Sequence, residues 1–203
     1  MGERTSTVPR KRGRPTEGER EERREQILDA AVGLFVAQGY GQVTIDEIAA
    51  AARVTKRTIY TYFGDKAEVF TAAVERFRGR ALADLGDGGQ TLEELAARLV
   101  LVLHSDDAVG LHRLMIGESS QFPDLAERFY DSGPRGYIAL LEQRIPQRDG
   151  ESDAASKAEA LFGLLLGERH RRRLLSLTPA PDLAAAKEHA AEVIALFGWS
   201  AAP

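Results

Sequence analysis

Residues Thr44–Lys66 read TIDEIAAAARVTKRTIYTYFGDK, and their punctuation divides them into two short helices. Thr44 with Glu47 three residues on is a reciprocal capping box, and Ile45, Ile48, Ala49 and Ala52 follow as an inner stripe. Arg53-Val54 makes the turn and Thr55 is a favourable N-cap. The helix that follows carries Ile59, Tyr60, Tyr62 and Phe63 before Gly64 breaks it. Two helices of eight or nine residues joined by a three- to four-residue turn form a helix-turn-helix. In that arrangement the second helix is able to enter the DNA major groove while the first braces on the backbone.

The residue types on the second helix suit such a task. Lys56 and Arg57 match guanine O6/N7 or phosphate, and Thr58 matches a thymine methyl or a phosphate. Tyr60 and Tyr62 can place hydroxyls on phosphates while their rings pack. Thr44 and Lys66 open helices, where backbone N–H groups and the positive dipole end favour an anionic oxygen. The contrary interpretation, that Lys56, Arg57 and Lys66 are only solvated charges on a small helical domain, stands beside this one.

Outward from this stretch the pattern stays helical. Ile27, Ala31, Leu34, Phe35 and Val36 recur at three- and four-residue spacing ahead of a Gly39 stop, from about Glu21. Asp65 with Glu68 predicts another capping box at the head of a long helix through Val69, Phe70, Ala73, Val74 and Phe77. Thr91 with Glu94 predicts the next. Boundaries follow at Ser105-Asp106-Asp107, Phe122-Pro123-Asp124, Ser132-Gly133-Pro134, residues 146–152 and Thr178-Pro179-Ala180-Pro181. The expected fold is all-α with about nine helices. Its parts are a flexible basic arm over 1–20, a three-helix DNA-binding domain over 21–66, and a helical ligand-binding and dimerisation domain over 67–203.

Composition narrows the function classes. In 203 residues there is no cysteine, which removes disulfides, thiolate metal sites and cysteine nucleophiles together. No apolar run is long enough to span a bilayer and no secretory h-region follows the basic N-terminus, so the expected location is the cytoplasm with no membrane partner. Residues 1–80 hold fifteen Lys and Arg against twelve Asp and Glu, and residues 81–203 twelve against nineteen. A polyanion-binding face therefore belongs in the first part, not the second. No nucleophile elbow, phosphate-binding glycine loop or His-Glu-x-x-His pattern is present, so an enzyme is not expected.

The order of residues over Arg24–Phe70 is specific. Ile27-Leu28-Asp29-Ala30-Ala31, Phe35, Gly39-Tyr40, Thr44-Ile45-Asp46-Glu47-Ile48-Ala49, Ile59-Tyr60-Thr61-Tyr62-Phe63 and Asp65-Lys66 together resemble the N-terminal domain of TetR/AcrR-family transcriptional regulators. The resemblance implies a homodimeric repressor that binds a palindromic double-stranded operator and is released by an unknown small-molecule effector, without cofactor or metal. Its implied DNA contacts are Thr44, Arg53, Thr55, Lys56, Arg57, Thr58, Tyr60, Tyr62 and Lys66. Arg53 stands where the family commonly has Gly. If that position takes a positive φ, the side chain costs about 1 kcal/mol, which a phosphate contact would offset. In the arm, Lys11-Arg12-Gly13-Arg14-Pro15 resembles the minor-groove core of AT-hook segments, with Lys11, Arg12 and Arg14 as contacts; a solvated tail is the other interpretation. An architectural protein reading AT-rich DNA through this arm is the alternative function.

The remaining two-thirds say less. Leu111–Tyr130 resembles, more loosely, the C-terminal domain of the AefR-like subgroup. Leu111, His112, Met115, Glu118, Phe122 and Tyr137 mix apolar bulk with sparse polar groups, as an effector pocket would, and an ordinary core has the same make-up. His104, His112, His170 and His189 lack the spacing of a helical zinc site and read as isolated histidines. Two terminal amphipathic stripes run through Leu161, Phe162 and Leu165, and through Ala190, Val193, Ile194 and Phe197. Such helices either cap the core or associate, and the family resemblance implies a four-helix dimer interface. The Arg169–Arg173 block is expected on a solvated face or at that rim.

Overall fold

A computed structural model describes residues 16–82, 91–146 and 153–199, which are helical with no strand among them. The proposed contacts Lys11, Arg12 and Arg14 lie outside the described residues. The helices are α1 (Glu17–Gln38), α2 (Ile45–Ala51), α3 (Lys56–Tyr62), α4 (Lys66–Leu82), α5 (Leu92–Leu103) and α6 (Asp106–Glu118). After them come α7 (Pro123–Tyr130), α8 (Gly136–Glu142), α9 (Ala154–Leu174) and α10 (Leu183–Leu196). A π-helical turn over Asp131–Arg135 joins α7 to α8 without a break, so the described residues form nine helical rods.

Capping chemistry accounts for most starts. Thr44–Glu47 and Thr91–Glu94 close both halves of their capping boxes. Thr55, Ser105 and Asp182 each accept the N3 backbone N–H with a side-chain oxygen. Thr16 and Glu19 close a further box, so α1 begins at Glu17, inside the segment expected to be arm. At α4 only half of the expected box forms. The Glu68 N–H donates to Asp65 at 2.8 Å, but the Glu68 carboxylate pairs with Arg128 of α7 at 2.6 Å. The expected break at Ser132-Gly133-Pro134 does not occur. The wider π turn takes in Pro134, which lacks an N–H and would collide with the preceding turn of a regular α-helix.

Two apolar cores result. One gathers Ile27, Leu28, Phe35, Ile48, Ile59 and Phe70 from α1–α4 and recruits Leu111 and Met115 of α6 with Leu125 of α7. The other gathers Leu95 and Leu99 of α5, Tyr137 and Leu141 of α8, Leu161 of α9 and Ile194 of α10. Arg76 of α4 is almost wholly buried against α1, with Nη1 at 2.6 Å from Asp29 and 3.4 Å from Glu25. Gly110 of α6 lies directly under Val36 of α1, where a Cβ would come within 2.8 Å of the valine methyls. The first core thus holds α6 tightly, although α6 is distant in sequence.

Candidate nucleic-acid interface and effector cavity

The α2–α3 unit presents a polar face because its apolar stripe is narrow. Ile48 and Ile59 are fully buried, so α3 sits on α2 through one side. The opposite side shows Thr55, Lys56, Arg57, Tyr60 and Thr61 to solvent, with the Tyr60 ring 48% exposed. Lys56 with Tyr60 and Arg57 with Thr61 are each four residues apart, so each pair stands one turn above the other on the exposed face. No acidic residue occupies the first turn of α3. Arg53, in the turn, is exposed and has φ 54°, the left-handed conformation that favours glycine.

The expected contacts are not equivalent. Arg53, Thr55, Lys56, Arg57 and Tyr60 face outward. Lys56 meets Asp46 of α2 at 3.0 Å, an exposed pair that holds the ammonium near the groove face and raises its pKa. The Thr44 hydroxyl donates to Glu47 at 2.8 Å while accepting the Glu47 N–H, and the Thr58 hydroxyl lies 2.9 Å from that of Thr55. Tyr62 is half-buried beside Phe63. Lys66 departs most from the expected phosphate contact. Its ammonium donates to the carbonyls of Tyr40 and Val43, both at 2.8 Å, and lies 4.3 Å from the Tyr40 ring centroid. Desolvation pushes its pKa down. In this state Lys66 ties α4 to the α1–α2 turn, and carbonyls that sequence spacing does not reveal hold its charge.

The same turn is gripped from the other side. Glu118, at the end of α6, accepts the N–H groups of Tyr40 at 3.1 Å and Gly41 at 3.3 Å. Gly39 has φ 88°, a backbone conformation that favours glycine, and a Cβ there would come within 2.5 Å of the Glu118 carboxylate and push it off the turn. Phe122 packs edge-on to Tyr40 at 5.2 Å and over Gly41. Glu118 and Phe122, expected in an effector pocket, therefore sit at the junction with the α1–α2 turn, and Met115 is buried in the first core. Their mixed polarity reflects a junction, which has the same residue make-up as a pocket.

A cavity of about 60 Å³ does lie at the seam of the two cores. Leu111, His112 and Tyr137, three of the residues proposed for an effector pocket, line it together with Val74, Phe129, Phe162 and His170. The histidines are not isolated. His112 Nδ1 is 2.9 Å from His170 Nε2, and the His104 ring meets His170 edge-on at 5.1 Å. Burial lowers the pKa of His104 and His112. That of His170 falls to about 3, through burial and then the neighbouring His104, His112 and Arg173. Partners 58 residues apart leave no trace in local spacing. No group of three metal-binding side chains with suitable geometry occurs among the described residues.

The expected dimer residues are placed differently from expectation. Leu161, Phe162, Leu165, Ala190, Val193 and Ile194 are buried within this chain's own second core, and Phe197 stacks on Trp199 at 4.4 Å. The stripe read as intermolecular is the inner face, because α9 and α10 close the core. Their outer faces expose Gly163, Leu164, Ala191, Ala195 and Leu196. The arginine block divides: Arg169, Arg171 and Arg172 are exposed, whereas Arg173 is buried and donates to the carbonyls of His104 and Thr178.

Comparison with known proteins adds names to this geometry. Residues 27–73 match the family described as bacterial regulatory proteins, tetR family, and residues 90–198 match the AefR-like transcriptional repressor, C-terminal domain. The HTH-type transcriptional regulators SrpR and TtgW of Pseudomonas putida are 46% and 44% identical over 61 residues, 30% of this chain in each case. The match spans only 29% and 46% of those relatives' lengths. The uncharacterized HTH-type regulator YdeS of Bacillus subtilis is 31% identical over 175 residues, 82% of this chain and 84% of the relative. A TetR-family regulator structure from Mesorhizobium loti superposes with TM-score 0.64 at 26% identity, covering 90% of this chain and 97% of that one.

Proposed function

The chain belongs to the TetR family of bacterial regulatory proteins, and on that premise we propose that it is a transcriptional regulator, a repressor that binds a palindromic operator as a homodimer and is released by a small molecule. The observation that carries the DNA-binding part is the solvent-facing stripe of α3, with Lys56, Arg57 and Tyr60 set on the fully buried Ile59. A helix of that width fits the major groove, and its cations meet base edges or phosphates there. Arg53 and the Thr55 hydroxyl flank the stripe and suit backbone oxygens.

Effector response is supported by α6 and α4. Leu111 and His112 of α6 border the cavity, and Glu118 of the same helix grips the turn that leads into α2. Val74 and Phe77 of α4 border the cavity too, while Lys66 of α4 holds that turn from the other side. A ligand that reshapes the cavity thereby shifts both grips, and the coupling is reciprocal between ligand and operator. The exposed outer faces of α9 and α10, with small residues and Leu164 and Leu196, are the proposed dimer surface. No helix among the described residues is long and apolar enough to cross a membrane.

Footprinting tests the proposal. The wild-type protein is expected to protect one dyad-symmetric site, with a logarithmic salt slope of roughly −5 to −7 if six to eight phosphates are neutralised. Arg57→Ala with Tyr60→Ala is expected to lower operator affinity at least a hundredfold while leaving the melting temperature within about 2 °C. Diffuse protection that follows AT content would instead favour the architectural alternative.

A further inference from the structure

The cavity at the seam holds an unusual polar element for so apolar a place. His170 is 6% exposed and its Nδ1 has no hydrogen-bond partner among the described residues, yet the ring borders the cavity. Its Nε2 is joined to His112 Nδ1 at 2.9 Å. Two neutral imidazoles linked by one N–H···N bond leave one outer nitrogen as a donor and the other as an acceptor, whichever tautomers are present. A buried, unmet ring nitrogen is unfavourable by itself. The rest of the wall is mainly apolar, with Val74, Leu111, Phe129, Pro134 and Phe162 beside the Tyr137 ring.

Charge on a ligand is disfavoured. Among the described residues no Asp, Glu, Lys or Arg borders the cavity. The groups around His170 are His104 at the C-cap of α5, His112 of α6 and Arg173 of α9, none of which would welcome a further proton. Arg173 itself is held by carbonyls and by Asp106. An ammonium would therefore lack a counter-charge, and a carboxylate would have to draw a proton onto a ring whose neighbours oppose it. A hydroxyl is different, because it donates and accepts through one atom.

We infer that this cavity takes an uncharged, apolar molecule with a single hydroxyl, of the phenol class, whose oxygen bonds one outer nitrogen of the His112–His170 pair while its ring lies among the aromatic wall. The inference rests on the proposed effector role of this cavity. The present opening of about 60 Å³ is smaller than one aromatic ring requires, so entry displaces part of the wall. Two wall segments depart from regular helix: the π turn with Gly133 and Pro134, and α9 beside Gly167, whose φ is 49° and ψ −149°.

The test compares phenol, toluene, anisole and benzoate on the intact protein at neutral pH. Titrations are followed by the ring resonances of ¹⁵N-labelled histidine. Phenol is expected to bind at least tenfold tighter than each of the others and to move the His112 and His170 signals together. In His170→Phe the phenol preference over toluene is expected to vanish while toluene still binds. A phenol advantage below tenfold, benzoate as the tightest ligand, or a preference that survives in His170→Phe overturns the inference. The wild-type series alone decides the matter should the variant not fold. Operator binding is measured on the same preparation. Operator binding without phenol selectivity sinks this inference alone, whereas phenol selectivity without operator binding sinks the regulator proposal.

Discussion

The two cores are built by different rules. The second takes α5, α8, α9 and α10 and closes on itself with large aliphatic groups. The first begins as a small three-helix unit and is completed by Leu111, Met115 and Leu125, which arrive from α6 and α7. A boundary drawn after residue 66 therefore divides the chain by its motif and not by its packing. The cavity opens where the cores meet, bordered by Val74 and Leu111 of one and Tyr137 and Phe162 of the other. Packing at that seam gives way to polar nitrogen, and the α1–α2 turn is gripped by Lys66 of α4 and Glu118 of α6, two of the helices that border the cavity.

The sharpest way to break this comparison is to damage the first core alone. Phe35→Ala removes a fully buried ring that meets both Tyr40 and Phe70. It is expected to lower stability by about 3–5 kcal/mol, with one calorimetric transition because α6 and α7 tie the cores together. Two separated transitions would show that the cores are independent.

Acid sharpens the seam. His170 titrates at about 3 folded against an ordinary 6.5, so the unfolded chain binds more protons in between. The stabilisation is complete above about pH 6.5 and lost as pH falls toward 3. Between pH 7 and 5 this ring alone removes about 2 kcal/mol, and the lowered His104 and His112 act with the same sign. Urea midpoints across that range check it; a flat profile would place the histidines in water.

Smaller effects probe the grips on the α1–α2 turn and the strain in the α2–α3 turn. Glu118→Ala leaves the N–H groups of Tyr40 and Gly41 without their carboxylate. It is expected to lower stability by about 1–2 kcal/mol and to uncouple ligand from operator, with both affinities retained in separate titrations. Arg53→Gly relieves a left-handed backbone at φ 54° and is expected to raise stability by about 0.5–1 kcal/mol. Operator affinity should fall at the same time if the guanidinium meets a phosphate.

Much of the fold was legible because its signals are local. Thr44 with Glu47, Thr91 with Glu94, and Gly39 act within a few residues, and the structure places each as spacing predicts. Arg53 was legible as a possible positive-φ residue for the same reason. Pro134 was misleading, since a wider helical turn absorbed what reads as a stop. Site residues were not legible wherever the partner is remote. Lys66 looks outward until Tyr40 and Val43 supply carbonyls, Glu118 looks like pocket lining until it meets the α1–α2 turn, and His170 finds His112 only through the fold. The amphipathic stripes of α9 and α10 were correct as stripes, but a stripe does not say whether its partner lies in the same chain.

The five-residue π turn has one more implication. Each residue advances an α-helix by about 100°, so the slack in Asp131–Arg135 resets the angular phase between α7 and α8. That offset lets one unbroken rod turn Leu125 toward one core and Tyr137 toward the other. Shortening the rod by a single residue would rotate Tyr137 out of its seat without touching a hydrophobic side chain.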